Sequence, residues 1–122
     1  MKLAWLALLA ATLMAAGPDL RAARDRQDRA ALQSAVAALA AAAQKSPDDA
    51  GAHYRLAEAQ SLLAEVAQEL GDKALAAQAA EAGIRAAERA VALQGQVAEN
   101  HRMLGNLCGQ VIPANILLAA RY

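Results

Sequence analysis

An all-α fold is what this sequence predicts, and three observations predict it. Ala is the commonest residue, Phe is absent, and only two Tyr and one Trp occur in 122 residues. That is the composition of helices packed closely through small side chains. Apolar residues recur at spacings of three and four, the helical period, with no sustained alternation of the strand type. Asp, Gly and Pro punctuate the chain at helix-length intervals. The length suits one modest domain.

The N-terminal segment reads as an address. Lys2 precedes an apolar run from Leu3 to Ala16, followed by Gly17-Pro18-Asp19, which is the layout of a signal peptide with a cut near Ala16. The run is shorter than the roughly 20 residues that span a bilayer. Residues 1–16 are therefore expected to be a signal peptide, and the remainder an exported domain, periplasmic or extracellular.

Helices follow in order. Asp28 is a cap for a helix through Leu32, Val36 and Leu39 that ends near Lys45, because Ser46-Pro47 disfavours helical geometry before the proline. Arg21 to Arg29 reads as a separate short turn or an extension of that helix. Asp48 and Asp49 offer capping oxygens to a second helix, which runs to Leu70 and stops at Gly71. Its apolar stripe, Ala52, Leu56, Ala59, Leu63, Val66 and Leu70, implies one principal buried face. Asp72 caps a third helix that ends at Gly95. This one carries two stripes, through Leu75, Ala79, Ala82, Ala86, Ala90 and Leu93 and through Ala77, Ala80, Ile84, Ala87 and Val91, and so is covered on two sides. Glu81 and Arg85 read as an i,i+4 pair on its solvated remainder. The connection at Gly71-Asp72 makes the second and third helices an antiparallel hairpin. A fourth helix starts near Ala98 and closes around Gly109, and Pro113 begins a fifth segment.

An internal repeat is the most informative pattern. Ala52-His53-Tyr54-Arg55-Leu56-Ala57 aligns with Asn100-His101-Arg102-Met103-Leu104-Gly105, a spacing of 48 residues from His53 to His101. Leu104-Gly105, with Ala35, Leu39, Ala42 and Pro47 and then Ala90 and Leu93, resembles the tetratricopeptide repeat. In that family the first helix carries a Leu-Gly pair, and the second carries Ala and a closing Pro, here replaced by Gly95. The resemblance covers Asp28 to Cys108. It implies antiparallel hairpins stacked as an α-solenoid over residues 17–122, with the chain entering at the second helix of a repeat. The usual unit is about 34 residues, so the longer spacing here implies about two extra turns in each helix. In this respect Leu104-Gly105-Asn106-Leu107-Cys108 is similar to the regulators of microtubule dynamics, long-helix variants in which a Leu-Gly-x-x-Cys-type segment opens a helix. Ala57 and Gly105 are expected to be small because a side chain there would force the hairpin apart. Ile116, Leu117 and Leu118 would sit on a helix with no evident partner, so the expectation is a fragment of a longer array that self-associates or frays from Pro113.

Candidate chemistry is sparse. Twelve Lys and Arg balance twelve Asp and Glu, which gives no electrostatic footprint for nucleic acid or anionic lipid. Cys108 is the only cysteine and reads as a small core residue without an activating base nearby. His53 and His101 occupy equivalent positions where two imidazoles would meet on neighbouring helices, but two ligands bind metal poorly, and packing or rim roles are the expectation. Glu65 and Glu69 lie one turn apart on a polar face, with nothing to drive their pKa values apart. No phosphate loop, Ser elbow or His-Glu-x-x-His is present. The sequence thus assigns no catalytic, cofactor-binding or metal residue and no cofactor. The resemblance implies a non-catalytic scaffold that binds a protein or peptide, and the alternative is a structural or oligomerisation segment of a larger exported protein.

Overall fold

The computed structural model describes residues 19–114, 120 and 121. The expected signal peptide and Ile116, Leu117 and Leu118 lie outside the described residues. Five helices pack against one another: α1 Leu20–Asp25, α2 Arg29–Lys45, α3 Ala50–Glu69, α4 Lys73–Leu93 and α5 Ala98–Ala114. Among the described residues there is no strand.

Aspartates start four of the five. Asp19, Asp28, Asp49 and Asp72 each accept a hydrogen bond from the backbone N–H three residues on, at 3.0–3.2 Å, which satisfies one orphan donor of each first turn. At α5 the order is reversed. Asn100, buried, donates from Nδ2 to the carbonyls of Ala90 and Gln94, at 3.2 and 3.1 Å. The new helix thereby adds a second hydrogen bond to each of two carbonyls at the end of the preceding one, which already accept from the Gln94 and Val97 N–H groups.

The connections come in two kinds, and each kind occurs twice. Both α1 and α3 end in a Schellman motif. The N–H groups of Gln27 and Asp28 return to the carbonyls of Arg24 and Ala23, and those of Gly71 and Asp72 return to Gln68 and Ala67. Gln27 and Gly71 both take positive φ, 51° and 77°. For Gln27, a side chain held in that region costs about 1–2 kcal/mol. The other kind ends α2 and α4, where Ser46 and Gln94 have near-identical φ,ψ of −130°, 67° and −140°, 72°. There Asp49 N–H bonds the Ser46 carbonyl and Val97 N–H bonds the Gln94 carbonyl. The first kind recurs at 44 residues, from Gln27 to Gly71, and the second at 48, from Ser46 to Gln94. The difference sits in α4, which has 21 residues against 17 in α2.

Cross-links fix the helix directions. Arg29 meets Asp72 at 3.0 Å and Gln27 donates to Glu69 at 2.8 Å, so α2 and α4 start at the same end. Tyr54 donates to Glu99 at 2.7 Å near the starts of α3 and α5. Further along, Gln110 Nε2 donates to the Ser61 carbonyl at 3.0 Å, so α3 and α5 run parallel. Helix α3 lies between α2 and α4, which do not approach one another along their lengths.

Burial follows the expectation for α4 and exceeds it for α3. Ala79, Ala80, Ile84, Ala87 and Ala90 are buried on two sides of α4. In α3, Ala52, Ala59, Leu63 and Val66 are buried as the stripe requires, but Leu70 is 48% exposed at the C-cap. A second buried face runs through Ala57, Gln60, Ala64 and Ala67. The single-face expectation fails because that second face is built of Ala and Gln, which carry almost no hydropathy signal. The expected end at Gly109 also fails. Helix α5 continues to Ala114 with Pro113 inside it, because the N–H that the proline lacks would reach only the carbonyl of Gly109, an exposed residue. Glu81 pairs with Arg121 at 3.7 Å rather than with Arg85.

The glycine that matters for packing is not the expected one. A Cβ built on Gly105 has nothing within 4 Å, whereas one on Gly83 would lie 2.5 Å from Leu107 Cδ2 and 3.0 Å from Gln60 Cβ. Gly105 sits on an uncovered face of α5, and Gly83 sits where α3, α4 and α5 converge. Gly83→Val should therefore lower stability by about 1–3 kcal/mol through overpacking. Gly105→Ala should raise it by about 0.4–1 kcal/mol by restricting the unfolded chain. Thermal melts of the two variants check this, and a loss at Gly105 matching that at Gly83 would contradict the assigned junction.

Candidate functional site

The two histidines are each used locally. His53 Nε2–H donates to the Pro47 carbonyl at 2.8 Å, and His101 Nε2–H donates to the Gly95 carbonyl at 2.6 Å. Each imidazole reaches back six residues and fastens the loop before its own helix. The sequence alignment of the two histidines thus corresponds to one repeated contact. Among the described residues no group of three His, Cys, Asp or Glu is placed to hold a metal ion. Cys108 is half-buried, and burial, with Glu88 as the lesser cause, pushes its thiol pKa up. That favours the protonated, unreactive form. Glu69 accepts from Gln27, and Glu65 lines a hollow of about 210 Å³ between α3 and α5 with Gln68, Gln110 and Pro113. The Gln68 Oε1 beside it is buried without a hydrogen-bond partner.

Two surfaces remain, on opposite sides of α3. The first is a groove walled by α2 and α4 and floored by α3. It consists of two adjoining hollows of about 580 and 370 Å³ that share Gln60, Ala82 and Arg85. One end is mixed, with Val36, Leu63 and Leu75 beside Gln33 and Gln78. The other end is lined by Ala40, Leu56, Ala86, Arg85 and Arg89 and closed by Pro47 and His53. From Leu75 to Arg89 the wall is about 21 Å long at 1.5 Å per residue. The alanines of both walls keep it shallow and open.

The second surface joins α3 to α5 through polar side chains. Glu99 accepts from Tyr54 and from both Nε and Nη2 of Arg102. The Arg102 hydrogen bonds, then that of Tyr54, hold the Glu99 carboxyl at about 2, well below its ordinary range. Desolvation of Tyr54, and then its bond to the Glu99 carboxylate, push its phenol up to about 12. The Arg102 pKa is raised in turn, by its hydrogen bonds to Glu99 first. All three groups are committed to one another, which makes this a clamp between helices rather than a reactive centre.

Sequence reasoning missed both surfaces. Arg85 was assigned to Glu81, and Arg89 carried no signal apart from its helical phase with Arg85, one turn away. The Tyr54–Glu99 contact joins residues in different repeats, so no local spacing reveals it. The chain matches no family model, no curated protein and no solved structure.

The clamp has a defined pH dependence. Glu99 has a lowered pKa in the folded state, so its contribution is present above the ordinary value of 4.5 and is lost as pH falls through about 2. Tyr54 has a raised pKa, so its contribution is present below 10 and is lost as pH rises through about 12. Melting temperatures of the native protein and of Glu99→Gln should converge between pH 4.5 and 2. A constant gap across that window would show that Glu99 does not carry the acid dependence.

Proposed function

We propose that this chain is a non-catalytic scaffold of tetratricopeptide-like helical repeats that holds a protein or peptide partner. The observation that carries the reading is the duplication of both joints: Pro47 with His53 against Gly95 with His101, and Gln27 against Gly71. Joints of like backbone geometry stack successive hairpins in similar ways, and stacked hairpins form extended surfaces suited to a polypeptide partner. The open groove over α3 is such a surface, with Leu56, Gln60 and Leu63 on its floor and polar groups on its walls. The exported location belongs to the same proposal. It rests on Lys2 and the run Leu3–Ala16 and is tested by N-terminal sequencing of the protein recovered outside the cytoplasm. The scaffold reading is tested by screening the purified protein against an unbiased peptide library, where reproducible, saturable binding of a subset is the expected result.

A second reading, as an assembly segment or part of a longer array, is favoured by one face of α5. Ala57 and Ala64, on the side of α3 that α4 covers, are 0% and 3% exposed. Their equivalents 48 residues on are Gly105 and Ile112; Gly105 is exposed, and Ile112 is 59% exposed. The repeat thus presents on α5 a face that its earlier copy buries. Under this reading residues 17–122 self-associate, and the mass measured by light scattering rises with concentration. A monomer at all concentrations, with amides protected from exchange through Val111, would leave the scaffold reading alone.

A further inference from the structure

We propose that the groove between α2 and α4 takes an acidic peptide in extended conformation, with two of its carboxylates at the Arg85–Arg89 end. This rests on the scaffold reading and adds the site and the chemistry of the partner.

The first argument is charge. The chain as a whole is neutral, yet the charged residues lining the groove are Arg85 and Arg89, with no carboxylate among them. Among the described residues, Glu81, one turn before Arg85, pairs with Arg121 instead and leaves Arg85 without a carboxylate partner. Arg89 meets Asp48 at 3.3 Å, but the Asp48 side chain is 89% exposed, so this bond is solvated and exchangeable. A ligand carboxylate that replaces it gains a guanidinium already turned to the groove.

The second argument is spacing. Arg85 and Arg89 stand four residues apart on one helix, about 6 Å along the axis. Alternate residues of an extended chain lie on one side of it at about 6.6–6.8 Å. Two acidic residues separated by one position therefore face the two guanidiniums together. The wall length of about 21 Å accommodates about six extended residues. The residues flanking the acidic pair then lie along Val36 and Leu75, between Gln33 and Gln78. A basic peptide finds no opposite charge among the groove's lining residues.

The test is fluorescence anisotropy of a labelled hexapeptide, with two glutamates at alternate positions, added to the full protein. Binding is expected to weaken with salt and to fall about tenfold or more in the Arg85→Gln, Arg89→Gln double variant. It should tighten in Asp48→Asn, which removes the internal competitor for Arg89. Exchange of the two glutamates for lysines should abolish it. Circular dichroism melts of the variants show that each is folded. Equal binding of the glutamate and lysine peptides, or binding unchanged in the double Arg variant, would overturn the groove assignment. If other peptides from the unbiased library bind while this one does not, the groove proposal fails and the scaffold reading stands. If no peptide of any composition binds, the scaffold reading fails with it.

Discussion

At Gly83 helix α4 carries no side chain, and the place a methyl would occupy is already held by Leu107 of α5 and the stem of Gln60 of α3. Three helices are thereby brought together at a distance that ordinary side chains forbid. The rest of the packing depends on that approach. Ala dominates the buried set, and only a few larger side chains, Leu32, Ile84, Leu107, Val66 and Val111 among them, are fully enclosed. Each buried methyl or methylene contributes about 0.8 kcal/mol, against 1.5–3 kcal/mol for a whole Leu or Val. A core of this kind gains its cohesion from the number of close contacts rather than from the size of any one. Separating α4 from its neighbours by even one carbon would loosen many small contacts together.

The groove is a by-product of the same arrangement. Helix α3 is covered on two faces, so its neighbours α2 and α4 are held apart on either side of it, parallel and separate. Among the described residues, the space between them has a floor and no lid. Equal joints would make the two walls equal, yet α4 is one turn longer than α2, and the excess falls between its two joints. The joints themselves keep their geometry through this length change, which shows that they are set by local backbone hydrogen bonds and not by the helices they connect.

Much of this was legible in the sequence, and for identifiable reasons. Asp28, Asp49, Asp72, Gly71 and Pro47 mark boundaries through backbone chemistry that acts within a few residues, and all five mark the boundaries they were expected to mark. The two stripes of α4 were readable because Leu and Ile interrupt the alanines. The second face of α3 was not, since Ala and Gln leave no contrast. Gly83 and Gly105 illustrate the harder limit. Both are helical glycines, and nothing local distinguishes the one pressed against Leu107, 24 positions on, from the one facing open space. The groove and the Tyr54–Glu99–Arg102 clamp share that limit, because they are properties of which helices become neighbours.

His53 and His101 close the two loops that join one hairpin to the next, and each does so by donating a hydrogen bond to a carbonyl oxygen. A carbonyl can only accept, so the imidazole must present an N–H at Nε2. Neutral imidazole does so in one tautomer, and imidazolium does so always. The contact thus settles which ring nitrogen carries a proton, and each histidine works as a bolt seated on the backbone just ahead of its own helix.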